Sequence, residues 1–316
     1  MNNAAWRDFS SPRQAGGIRL SSGQVSMFHR ILFPTDFSDH ARRALDCITG
    51  FPSVNDVILL HVTQSTRFSS GSIAAEGEEP YRDLLRKDQS SLSHLGLRVS
   101  ICLEQTSGGS LHETILSVAE RKRADLIAIS GEVPSAGSGL LFGSLVSSLI
   151  RTSTRNLYLI RNRVIEDLNG ERYERYCPMV FSRILFPVDL TPLSLGPVLA
   201  LSEMPGVGEM ILIHVVPWGE EKEALDSRVA QGFIVIEQFC SELKKKGIRA
   251  SGNVLIGDPA QTISRYAEEE DVSVICLTPS GKGRIREILS GSFTFTLAGI
   301  TRRPVLILKD LPDAAD

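Results

Sequence analysis

Residues 30–38 read RILFPTDFS, and residues 183–191 read RILFPVDLT, 153 positions later. In both, a short apolar run ends at a proline and is followed by a carboxylate and a hydroxyl, which reads as a buried strand running into a loop. The same offset of 153 carries VILLHV (57–62) onto MILIHV (210–215). Further along, ETILSVAE (113–120) meets QTISRYAE (261–268), and Gly143-Ser144 meets Gly291-Ser292, both at an offset of 148. Agreement through four segments marks a tandem duplication of one domain. The change of offset places five fewer residues in the second copy, between its second strand and third helix.

Each copy alternates apolar or β-branched runs with amphipathic stretches, the pattern of a parallel sheet covered by helices on both faces. Strands are expected at 30–35, 57–62, 98–103, 126–130 and 157–160, and again at 183–188, 210–216, 249–255, 272–278 and 305–308. The fold class is therefore α/β, as two tandem open five-stranded parallel sheets. The domain reading is a leader without structure (1–26), a first domain (27–161), a linker (162–179), a second domain (180–310) and a tail (311–316). The linker is dense in charge and reads as open chain or a short solvated helix. The Ser- and Gly-rich stretch 64–77 reads as an insertion. Ser38 and Thr191 stand where each copy's first helix needs an N-cap, and Asp258 followed by Pro259 reads as cap and first turn of a helix.

At 316 residues, 42% hydrophobic and 22% charged with a formal charge of −3, the chain has room for two cores and lacks the basic excess of a nucleic-acid binder. It has neither a membrane-length apolar run nor a signal-peptide core, so a cytoplasmic protein without membrane or nucleic-acid partners is expected. The five cysteines are scattered without a CxxC pair, which indicates no zinc site and reads as reduced, mostly buried thiols.

The segments PTDFS, ILLHV, GDPAQTI and G-x9-GS before PVLIL, in that order, resemble the universal stress protein family across Phe28–Lys309. The resemblance implies a Rossmann-like, HUP-type sheet of the adenine nucleotide alpha hydrolase-like kind. It also implies, in one branch of the family, binding of ATP or AMP through G-x2-G-x9-G-S/T. Transferred residue by residue, the second copy supplies Thr278, Gly281, Gly291 and Ser292, with only the first glycine replaced; Lys282 and Phe293 adjoin them. The first copy supplies Ser130, Val133, Gly143 and Ser144 and has lost both leading glycines. The same resemblance puts Asp36 and Asp189 at the adenosine end, with Pro187 and Val188 before the latter, and Val62 and Val215 along the pocket wall.

These residue types suit the chemistry. A glycine- and hydroxyl-rich loop between a buried strand and a helix, as in TPSGKGRIREILSGSF (278–293), offers backbone N–H groups and a helix N-terminus to phosphate oxygens. In an open parallel sheet a ligand binds beyond the carboxyl ends of the strands where their order reverses, here between the first and fourth strands. Asp189 could accept from ribose hydroxyls or the adenine amino group, or it could cap the following helix; both readings stay open. For Asp36 the capping reading is preferred, because its partner loop is degraded. Lys282, Arg284 and Arg286 form a solvated basic face, and His61 and His214 read as satisfied strand-end histidines, not as catalysts or metal ligands. No nucleophile, general base or metal cluster is evident.

The expectation is a non-enzymatic adenine-nucleotide protein, hydrolysing ATP slowly at most, with Mg as an optional companion of the nucleotide. The two copies would pair as a built-in pseudo-dimer, and the whole chain would be capable of homodimerisation. The alternative is a dimerising interaction module that binds no nucleotide.

Overall fold

The computed structural model describes residues 18–19, 25–64, 78–106, 110–130, 143–167, 170–175, 179–191, 194–219, 222–278 and 292–309. One unit is Phe28–Pro178 and the other takes Met1–Met27 together with Met179–Asp316.

In the first unit the apolar runs become β1 (Arg30–Pro34), β2 (Asp56–Gln64), β3 (Arg98–Thr106), β4 (Leu126–Ser130) and β5 (Asn156–Ile160). Between them lie α1 (Asp39–Leu45), α2 (Glu79–Ser93), α3 (Leu111–Arg121) and α4 (Ser144–Thr152). The pairings are all parallel and the strand order is 3-2-1-4-5. The order therefore reverses between β1 and β4, as a doubly wound sheet requires. Ile31, Leu32 and Phe33 are fully or almost fully buried, because β1 is central and covered on both faces.

A two-stranded antiparallel ribbon follows, β6 (Asn162–Asp167) with β7 (Gly170–Arg175), and Asp167 pairs with Gly170. This corrects the expectation of an open or helical linker. Asn169-Gly170 is a hairpin signal, and the charge density of the segment hid it from a search for apolar period. Within the stretch read as a leader, Ile18–Arg19 pairs antiparallel with Val25–Ser26.

The second unit repeats the plan with β8 (Arg183–Pro187), α5 (Leu195–Ser202), β9 (Glu209–Val216), α6 (Lys222–Lys245), β10 (Arg249–Ile256), α7 (Pro259–Glu269), β11 (Val274–Leu277), α8 (Ser292–Ile300) and β12 (Val305–Ile307). Its strand order is β10-β9-β8-β11-β12, again all parallel. The duplication extends to backbone torsions. Gly96 and Gly247 end α2 and α6 at φ of 88° and 81°, and Arg123 and Asp271 follow α3 and α7 at 52° and 46°. Such left-handed residues terminate a helix by turning the chain away from its axis.

Two polar anchors recur with different chemistry. The Asp125 carboxylate accepts from the backbone N–H groups of His29 and Arg30 at 3.0 and 2.8 Å. In the second unit the Ser273 hydroxyl accepts from the Arg183 N–H at 3.0 Å and donates to the Val180 carbonyl at 2.8 Å. Near the last strand, Arg155 bonds Glu120 at 2.5 Å, while the fully buried Arg303 bonds Asp271 at 2.6 Å, Glu268 at 3.1 Å and the Val272 carbonyl at 3.0 Å.

Cys102, Cys240 and Cys276 are free, and burial pushes the thiol pKa of each upward. Cys47 departs from the expectation of reduced thiols, for it is disulfide-bonded. Disulfide pairing depends on approach in space, which the spacing of scattered cysteines does not reveal. Cys177 lies outside the described residues.

Candidate functional site

The site is built where β1 and β8 end. Just past each strand one further parallel bond forms, from the Thr35 N–H to the Leu60 carbonyl at 2.8 Å and from the Val188 N–H to the Ile213 carbonyl at 2.9 Å. That bond fixes the exit direction of the chain before Asp36 and Asp189. The next residues, Phe37 and Leu190, both take φ of 62°, a left-handed conformation uncommon for a residue with a side chain. Each aspartate closes the resulting turn on itself. Asp36 Oδ1 accepts from the Ser38 N–H at 2.9 Å, and Asp189 Oδ1 accepts from the Thr191 N–H at 2.9 Å and its hydroxyl at 2.6 Å.

The two carboxylates then part company. Asp36 is exposed; partial burial raises its pKa, but bonds from Ser38 and its own backbone, aided by the nearby His61, leave it below the ordinary carboxylate value. Asp189 is half-buried, and its Oδ2, shielded from solvent, has no hydrogen-bond partner among the described residues. A carboxylate oxygen in that condition is costly unless a donor reaches it.

Ser38 caps α1 as expected, accepting from the Ala41 N–H at 3.2 Å. Thr191 does not cap α5, which begins later at Leu195; its hydroxyl is spent on Asp189, and its carbonyl accepts from Ser194 instead. Asp189 therefore organises the turn ahead of the helix and is not the helix cap. Asp258 caps α7, accepting from the Gln261 N–H at 2.9 Å with Pro259 in the first turn.

Both histidines tie the second strand of their copy to the turn. His61 Nδ1 lies 2.8 Å from the Thr35 carbonyl and His214 Nδ1 lies 2.9 Å from the Val188 carbonyl, so each Nδ1–H donates to the backbone. His214 is buried, and desolvation lowers its pKa despite that bond and the charge of Asp189. The strand-end structural reading accounts for both.

Val62 is half-buried and Val215 buried, each directly after its histidine; Pro187 and Val188 lead into the Asp189 turn. Thr278 is buried immediately after β11, and Ser292 and Phe293 open α8, with Phe293 buried. Gly281, Lys282 and Gly291 lie outside the described residues, as does Val133. In the first copy Gly143 is the N-cap of α4 and Ser144 its first residue. A Cβ at Gly143 would meet nothing within 4 Å and its φ is negative, so neither conformation nor crowding within the described residues requires glycine there.

A ring cluster in the first copy was invisible in the sequence. Phe37 packs on His61 with centroids 4.5 Å apart, Tyr81 on His61 at 4.8 Å, and Phe37 on Tyr81 at 6.4 Å with planes within 13°. Nothing local in sequence joins three rings from a loop, a strand and a helix. Among the described residues no group of three or more His, Cys, Asp or Glu is placed to hold a metal ion, and no helix is long and apolar enough to cross a membrane.

The model of the universal stress protein family matches this chain twice, over residues 27–161 and 181–309. The chain belongs to the universal stress protein family. Each copy of the sheet described above is one universal stress protein domain. A curated relative, universal stress protein MJ0577 of Methanocaldococcus jannaschii, is 28% identical over 157 residues, covering 42% of this chain and 96% of its own length. A universal stress protein of Archaeoglobus fulgidus matches in structure across 90% of this chain and 97% of its own, with a TM-score of 0.66 and 18% identity. A protein of Pseudomonas aeruginosa, PA1789, matches across 89% and 92% with a TM-score of 0.62 and 15% identity. The last two share the tandem fold.

Proposed function

We propose that this universal stress protein binds an adenine nucleotide, ATP or AMP, in its second domain and acts as a regulatory protein without a dedicated catalytic apparatus. The observation that carries the reading is Asp189 Oδ2, buried without a partner among the described residues at the end of the central strand and beside the strand-order reversal. A carboxylate oxygen needs a donor, and ribose hydroxyls or the adenine amino group are donors. The second copy's sequence retains Gly281, Gly291 and Ser292, the residue types that leave backbone N–H groups open to phosphate. Regulation would follow from differential binding: a nucleotide shifts the population toward whichever state of the protein binds it better.

Among the described residues no side chain near Asp189 is set to activate water. His214 commits Nδ1–H to a carbonyl and is held toward its neutral form by burial, and nothing hands it a nucleophile. Equilibrium dialysis of the full chain with labelled ATP and AMP tests the proposal. Binding that weakens on Asp189→Ala and on Gly291→Val is the expected result; no binding to the wild-type chain overturns it in favour of a nucleotide-free interaction module.

A further inference from the structure

The two domains can be matched residue for residue through their second helices. Gly96 and Gly247 end those helices in the same left-handed conformation, Arg98 and Arg249 open the next strands, and the buried Leu85 and Leu92 match Ile236 and Leu243. At this offset of 151 residues Tyr81 corresponds to Gly232, while at the turn after the central strand Phe37 corresponds to Leu190. Two of the three rings in the first copy's cluster are therefore absent from the second.

We propose that the Phe37–His61–Tyr81 cluster occupies the base end of the first domain's nucleotide site and excludes nucleotide from it, so that the chain holds one nucleotide and not two. This rests on the proposed binding at the carboxyl ends of the central strands. Phe37 directly follows Asp36 and His61 directly precedes Val62, so the rings lie against the turn and strand end that would receive the base. A purine entering there would have to displace rings already packed on one another at centroid distances of 4.5 and 4.8 Å. Phe37 is held in place by its own N–H, which donates to the Thr35 hydroxyl at 3.0 Å. In the second copy the position matched to Tyr81 carries no ring: a Cβ at Gly232 would come within 3.1 Å of Val254 and 3.6 Å of His214, so α6 lies close against the sheet there. The phosphate end points the same way, since the first copy's motif has Val133 where the second has Gly281.

Stoichiometry tests this on the full-length chain by isothermal titration with ATP and with adenosine, the latter needing no phosphate loop. The wild-type chain should take up one ligand, with affinity weakened in Asp189→Ala. Phe37→Leu combined with Tyr81→Gly, the second copy's residues, should add a second adenosine site that survives Asp189→Ala. Should that pair impair folding by circular dichroism, Tyr81→Ala alone serves with the same readout. Two ligands on the wild-type chain, or a folded ring variant without a second adenosine site, overturns the proposal. No ligand on the wild-type chain but one on the ring variant would sink the second-domain reading and leave the ring exclusion standing.

Discussion

In the first domain Asp36 is open to solvent and its turn is packed by aromatic rings; in the second Asp189 is half-buried, keeps an unpartnered oxygen and has Leu190 beside it. Yet the turns that carry them are superimposable in kind, with the same left-handed φ of 62° and the same side-chain-to-backbone closure. Duplication has kept the scaffold and let its occupants diverge. The lesson is that backbone geometry at a strand end is set by the fold, while the capacity to bind is set by which side chains converge on it from elsewhere.

The largest difference between the copies is expected in stability. Arg303 is buried with four polar contacts, so Arg303→Ala should cost about 2–3 kcal/mol, because its side chain leaves a cavity and the buried Val272 carbonyl loses a donor, while Asp271 stays open to solvent. Its counterpart Arg155 meets an exposed Glu120, and Arg155→Ala should cost at most about 1 kcal/mol. Urea unfolding followed by hydrogen exchange of peptides from each domain separates the two; equal losses would break the comparison.

Ligand binding comes next. A charge-assisted hydrogen bond contributes about 1.5–3 kcal/mol, so Asp189→Ala should weaken nucleotide affinity roughly 10- to 100-fold while Asp36→Ala leaves it unchanged. Calorimetric titration of both variants decides the matter, and a comparable loss in Asp36→Ala would show that the first domain also binds.

His214 sharpens the comparison through pH. Its pKa in the folded chain is lowered, chiefly by desolvation, so the unfolded chain binds the proton more readily. The stability it contributes is present in full above its ordinary value of about 6.5 and is lost as the pH falls from there toward the lowered native value. Thermal melts between pH 7.5 and 5 should therefore show the second domain weakening. Replacing His214 by Leu should flatten that dependence while costing about 1–3 kcal/mol at neutral pH, because the Val188 carbonyl loses its donor.

The smallest contrast is at the third helices, where the domains use different caps for one task. Ser110 and Glu113 form a reciprocal capping box, and Asp258 precedes Pro259. Ser110→Ala and Asp258→Ala should each cost about 1 kcal/mol, measured by the same urea titrations. A difference well beyond that between them would mean one cap also supports the neighbouring loop.

Much of the fold was legible because its signal is local and was written twice. The apolar runs at Ile31–Phe33 and Ile184–Phe186 could only be central strands, and Asp258-Pro259 could only open a helix. The expectation that both histidines are hydrogen-bonded at a strand end is met by their bonds to the Thr35 and Val188 carbonyls. The hairpin at Asn162–Arg175 was missed because its cue is a turn dipeptide within a charged run. Thr191 was misplaced because α5 begins only at Leu195, too far on for its hydroxyl to accept from the first turn, and that hydroxyl donates to Asp189. The rings at Phe37, His61 and Tyr81 come from separate elements of the chain, and no short window of sequence shows that they meet.

The sequence by itself determined that one α/β domain occurs twice, with an aspartate after each central strand and a glycine motif retained better in the second copy, since residue periodicity and repetition are properties of the chain alone. Only the tertiary structure decided that Asp189 keeps an unsatisfied oxygen while the turn of Asp36 is lined with rings. Burial and hydrogen-bond partnership are properties of the space around a side chain, and residues distant in sequence fill that space.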